Sequence, residues 1–156
     1  EHIRPTHEID LIELIDYVIK TYEKIISKNN IIIKFNKIDN FKIIGDRDKL
    51  IEIFTNLIDN SIKYSDKNKE ITITAKKDGE FNTVSVADQG IGIPKESIHR
   101  ITERFFTVDP SKSRSVGGTG LGLAIVKHLV SQHRAEMDIN SVENEGTTID
   151  IKFNPL

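Results

Sequence analysis

Asp46-Arg47-Asp48-Lys49-Leu50-Ile51-Glu52-Ile53-Phe54-Thr55-Asn56-Leu57-Ile58-Asp59-Asn60-Ser61-Ile62-Lys63-Tyr64-Ser65 reads as one long amphipathic helix. Gly45-Asp46 opens it, with Asp46 as N-cap, and Leu50, Ile51, Phe54, Leu57 and Ile58 recur at helical steps as a core-facing stripe. Downstream, Ile71–Ala75 and Thr83–Ala87 alternate apolar with polar around Asp78-Gly79, a hairpin signal. Upstream, Ile31–Phe35 and Phe41–Ile44 read as short strands. A first helix precedes them, with Leu11, Leu14, Ile15, Val18, Tyr22, Ile25 and Ile26 on one face, Asp10 and Glu13 as a capping pair, and Asn29-Asn30 as its end. Residues 94–118 are irregular and charged apart from a short helix near Glu96–Glu103. A helix from Thr119 to His133 and strands at Met137–Val142 and Thr147–Phe153 close the chain. The order α-β-β-α-β-β-loop-α-β-β predicts the α/β class: a two-layer sandwich, with a mixed, mostly antiparallel sheet and helices on one face.

The chain has 156 residues, enough for a single domain over 1–156. Hydrophobic residues at 37% and charged residues at 29% are an ordinary soluble balance, and the net charge of −2 implies no general attraction to nucleic acid or anionic lipid. Without cysteine there is neither a disulfide framework nor a thiolate metal site, which suits the cytoplasm. No apolar run is long enough to cross a bilayer, so no membrane contact by this domain is expected, and the isolated domain is expected to be a monomer. The polar start, Glu1-His2-Ile3-Arg4-Pro5, carries no signal peptide and suggests an excised piece, with residues 1–7 the end of an upstream linker.

Three features bear on chemistry. On the long helix, Glu52, Asn56, Asn60 and Lys63 fall within about 80° of arc, a row of carboxylate, two amides and an ammonium. Amide oxygens suit Mg²⁺ and an ammonium suits phosphate, although a solvated helix face has the same look. Second, Asp88-Gln89-Gly90-Ile91-Gly92-Ile93-Pro94 follows a strand directly, where glycines let a ligand approach the backbone and an Asp can accept from an exocyclic amine such as that of adenine. An ordinary tight turn is the alternative. Third, Gly117-Gly118-Thr119-Gly120-Leu121-Gly122-Leu123 runs into a helix, whose free N–H groups favour an anion such as polyphosphate. No strand precedes these glycines and no Gly-Lys-Ser/Thr is present, which excludes the dinucleotide fingerprint and the P-loop.

Together these segments resemble the histidine kinases. Asn56–Ser65 is similar to their N box, Asp88–Gly92 to the first glycine box, Glu103–Asp109 to the F box, Gly118–Leu123 to the second glycine box and Glu145-Gly146-Thr147 to the closing turn. The resemblance covers about residues 8 to 154, and Thr102–Phe105 and Ala124–His128 resemble phosphate-responsive sensor kinases of the alphaproteobacterial type. It implies the ATP-binding fold shared by gyrase, Hsp90, histidine kinases and MutL. It further implies Mg²⁺ on Asn60 with Asn56, Lys63 and Tyr64 bordering phosphates and sugar, and Asp88 on adenine with Gly90, Gly92, Ile93 and Thr147 around it. Residues 94–118 would be a lid, and Gly118, Thr119, Gly120, Leu121 and Gly122 would bind phosphate.

Hydrolysing members of that superfamily carry a general-base Glu four residues before the metal-binding Asn; here Asn56 stands there, and an amide takes no proton from water. The expected function is therefore phosphoryl transfer from Mg-ATP to a histidine supplied elsewhere, on an upstream phosphoacceptor helical hairpin. A response-regulator receiver domain would follow as the next acceptor, in an intact protein anchored in the inner membrane. Thr107 replaces an F-box Arg, leaving Arg104, Lys112 or Arg114 for the γ-phosphate. A degenerate ATP-binding scaffold, an ATPase or an anti-sigma-type serine kinase are the alternatives. His2, His7, His99, His128 and His133 do not stand in an acceptor motif, so each is expected to be structural or solvent-facing.

Overall fold

The computed structural model describes residues 7–65, 69–103 and 122–156. Its strands are β1 (His7–Asp10), β2 (Ile32–Asn36), β3 (Lys42–Gly45), β4 (Glu70–Asp78), β5 (Phe81–Ala87), β6 (Glu136–Val142) and β7 (Gly146–Phe153). The helices are α1 (Leu11–Thr21), α2 (Glu23–Lys28), α3 (Arg47–Tyr64) and α4 (Gly122–Gln132), with a 3-10 turn at Lys95–Arg100. Five strands form a sheet in the order β2-β4-β5-β7-β6, antiparallel except for the parallel pair β2–β4. The α/β sandwich expected from the element order is the one observed.

α3 lies at its centre, packed against both α1 and α4. Asp46 caps it by accepting from Lys49 N at 3.1 Å. Its buried stripe is Leu50, Ile53, Phe54, Leu57, Ile58, Ser61 and Ile62; Ile51 is only half-buried at the core's edge, with Ile53 taking the place expected for it. The stripe meets Ile71, Ile73, Val84, Val86, Ile149, Ile151 and Phe153 from the sheet in one core, with the Phe54 and Phe153 rings 6.3 Å apart.

The first helix departs from its reading. The chain breaks at Tyr22 (φ −103°, ψ 5°) after the Thr21 hydroxyl turns back to Val18 O at 2.7 Å, so two helices replace one. Beyond the break Tyr22 and Ile26 still pack partly buried against the core. Leu11, Leu14, Ile15 and Val18 stay buried, whereas Ile25 is 45% exposed. Asp10 caps α1 through Ile12 N and Glu13 N, but Glu13 does not reciprocate: its carboxylate is paired with Arg47 at 2.8 Å. β1 is a strand that periodicity did not reveal, since only Ile9 of its four residues is buried. It pairs antiparallel with β3 in a separate two-stranded sheet, tied to β5 by Asn82 Nδ2 donating to Lys42 O at 3.1 Å. The β4–β5 turn is Gly79-Glu80, one residue later than expected, with Gly79 at φ +58°.

Candidate nucleotide site

Asp88 sits where β5 ends and is locked to the start of β7, 59 residues away. Its N–H donates to Thr147 O at 2.8 Å, and its Oδ1 accepts from Thr147 N at 3.2 Å and Gly90 N at 2.9 Å. Burial pushes its carboxyl above the usual aspartate range, opposed by hydrogen bonds from the Gly90 and Thr147 amides and from the Ser61 hydroxyl. The neighbouring glycines are required by contact. A Cβ on Gly90 would lie 2.3 Å from Tyr64 O, and on Gly146 (φ +142°) 2.1 Å from Asp88 O. Gly92, at φ +70°, would meet Val142 O at 2.2 Å. Ile91 O accepts from Asn144 N at 2.6 Å, while Ile93 N donates to Ser141 Oγ at 2.8 Å. That hydroxyl also reaches Gly146 O and Thr147 Oγ1, at 3.0 and 2.8 Å. The first glycine turn and the β6–β7 turn therefore form one interlocked corner, with Ile93 buried beneath it.

α3 meets this corner at its last turn. Tyr64 O accepts from Ile91 N at 3.3 Å, and Ser61, 4% exposed, bonds Asp88. Asn60, half-buried, precedes Ser61 directly, so the metal-type amide and the buried carboxylate flank one residue. One turn back, Asn56 Nδ2 donates to the Glu52 carbonyl at 2.8 Å, which directs its Oδ1 toward the start of α4: a Cβ on Gly122 would stand 3.4 Å from it. Lys63 pairs with Asp59 at 3.0 Å. A row of amide oxygens and an ammonium thereby runs from the head of α4 to the carboxylate corner, a donor set that fits Mg²⁺ and a triphosphate.

The family described as histidine kinase-, DNA gyrase B- and HSP90-like ATPase matches residues 45–156. The chain belongs to this family. Within it the domain resembles sensor histidine kinases: 43% identity over 111 residues with the phosphate regulon sensor PhoR of Pseudomonas aeruginosa, covering 71% of this chain and 25% of that protein. With SenX3 of Mycolicibacterium smegmatis it shares 32% over 153 residues, covering 98% and 40%. The chain spans well under half the length of these relatives. The catalytic domain of the histidine kinase ThkA superposes with a TM-score of 0.82 at 29% identity, over 95% of this chain and 94% of that one.

The ATPase-family domain brings Asn56, Asn60, Lys63, Tyr64, Asp88, Gly90, Gly92, Ile93, Gly122 and Thr147 to four touching segments. Arg104, Gly118, Thr119, Gly120 and Leu121 lie outside the described residues, as does the later part of the expected lid. Ile101, 5% exposed, is buried just beyond the 3-10 turn, whereas Lys95, Glu96, His99 and Arg100 are exposed. Sequence reasoning missed Ser61 and Ser141. Ser61 carried a signal, a polar residue at an apolar helical position; Ser141 carried none, since its partners come from another loop. His133 is structural: Nδ1 donates to Leu129 O at 2.9 Å and Nε2 accepts from Asp46 N at 3.2 Å, which requires the neutral ring. His7, His99 and His128 are exposed. No helix among the described residues is long and apolar enough to cross a membrane.

Proposed function

We propose that this domain binds Mg-ATP and donates its γ-phosphoryl group to a histidine on a separate phosphoacceptor hairpin, within a two-component system. The observation that carries the reading is that the amide row of α3 abuts both the head of α4, at Asn56 and Gly122, and the buried Asp88, through Ser61. A nucleotide laid along α3 meets purine recognition at one end and phosphate recognition at the other. Asp88 accepts from the exocyclic amine of adenine, its plane fixed by the Gly90 and Thr147 amides. Asn60 and Asn56 present oxygens for Mg²⁺, which when bound neutralises charge on the phosphate oxygens. Lys63 supplies a point charge beside them, and Tyr64 borders the sugar. The glycines at 117–120 and Arg104 lie outside the described residues and keep the phosphate roles that the resemblance implies. The chain holds no base for water at position 56, so its contribution is alignment and charge neutralisation.

ShkA, which shares this fold, has been solved with AMPPNP, and ThkA with the response regulator TrrA; an ATP-type ligand and a receiver-domain partner are proposed here on that likeness. The domain would act in the cytoplasm, as part of a longer membrane-anchored sensor. The test combines the domain, Mg-ATP and the phosphoacceptor hairpin of its own full-length protein, followed by detection of phosphohistidine. Wild type transfers phosphate and Asn60→Ala does not, having lost Mg-dependent ATP binding. Tight Mg-ATP binding without transfer would instead favour a scaffold, the reading that Thr107 in the F box supports.

A further inference from the structure

Lys63, the ammonium placed against the phosphates, already has a partner. Asp59, one helical turn earlier, holds it at 3.0 Å, and both side chains are about one-third exposed. The Tyr22 hydroxyl, brought over from the break between α1 and α2, stands beside the same carboxylate. It donates to Thr55 O at a long 3.4 Å, so its single proton has two acceptors within reach. Burial first, then the charge of Asp59 and its hydrogen bond, push the phenol up to about 12; it remains a donor at any physiological pH.

We propose that Asp59 is a resident counter-ion that triphosphate must displace from Lys63, and that Tyr22, already beside the carboxylate, holds it once Lys63 has left. The inference rests on the reading that Lys63 faces phosphate. An aspartate beside that ammonium offers the same charged acceptor that a phosphate oxygen offers, so the two compete for one ammonium. The carboxylate also repels the incoming phosphates. Once Lys63 turns away, Asp59 would stand partly desolvated with its charge uncompensated; a donated O–H from Tyr22 lowers that cost. The two residues therefore act with opposite sign. Asp59 weakens triphosphate binding, and Tyr22 eases it. Both are positioning residues, since neither touches the nucleotide.

Calorimetric titration of the 156-residue chain with Mg-ATP and with adenosine tests this. Asp59→Asn binds Mg-ATP about threefold more tightly than wild type, the scale of a partly exposed ion pair. Tyr22→Phe binds it about twofold more weakly, and the double variant matches Asp59→Asn, because the phenol has no carboxylate left to hold. Adenosine affinity is unchanged in all three. Weaker Mg-ATP binding by Asp59→Asn, parallel losses for adenosine, or a Tyr22→Phe effect that persists beside Asp59→Asn would each overturn the proposal. Lys63→Ala separates the two levels. If it weakens Mg-ATP while Asp59→Asn does not tighten it, only the counter-ion idea fails. If it leaves Mg-ATP unchanged, the placement of phosphate fails with it. Thermal melting of each variant excludes misfolding as the cause.

Discussion

The two ends of the site are built in different ways. At the carboxylate corner, backbone meets backbone: Gly90, Gly92 and Gly146 each leave space that one Cβ would fill to within 2.3 Å of a carbonyl oxygen, and Asp88 is held by main-chain amides. At the proposed phosphate end, the groups are side chains on one face of α3, half-exposed, with Lys63 on Asp59 and Asn56 on its own helix. Recognition of one purine edge profits from a fixed acceptor, because a misplaced hydrogen bond loses most of its strength. Handling a triphosphate that must change during the reaction profits from charges that move.

The comparison breaks first at the corner. Gly146→Ala should destabilise the fold by about 2–4 kcal/mol, from strain at φ +142° and collision with Asp88 O, measured by denaturant unfolding. A loss no larger than that of Asn60→Ala would erase the contrast between rigid and adjustable ends. Asp88→Asn should weaken ATP by about 1.5–3 kcal/mol in calorimetry, the scale of a lost charged hydrogen bond. Equal losses for ATP and GTP would count against purine reading. The same variant should not cost stability at pH 7, since Asn keeps an oxygen acceptor for Gly90 N and Thr147 N. The raised carboxyl means that the folded state holds its proton more tightly than the unfolded chain. Wild-type stability should therefore fall as pH rises from the ordinary aspartate range through the raised value, and Asp88→Asn should lack that fall. Asn144→Gly, at φ +67° in the turn that clasps Ile91, should change stability by under about 1 kcal/mol, because Asn already tolerates that backbone region. A larger loss would show that the Asn144 side chain contributes to the clasp.

Most of the elements were legible because their causes are local. The Asp46 cap, the stripe along α3 and the Asp78-Gly79 signal each depend on residues a few positions apart, and each gave its element to within a residue or two. The candidate site was legible for a similar reason: Asn56, Asn60 and Lys63 share a helix face by spacing alone, and Asp88 adjoins its glycines in the chain. The break at Tyr22, the exposure of Ile25 and the exchange of Ile51 for Ile53 were not legible, because packing decided among neighbouring apolar residues.

By itself the sequence determined which short segments carry amides, carboxylate and glycines, and that helices and strands alternate around them. Only the tertiary structure decided that Thr147 locks Asp88, that Gly122 comes up against Asn56 and that Tyr22 stands beside Asp59. Those contacts join residues 37 to 66 positions apart or cross between separate elements, and closing such loops is favourable only once a common core has ordered both sides.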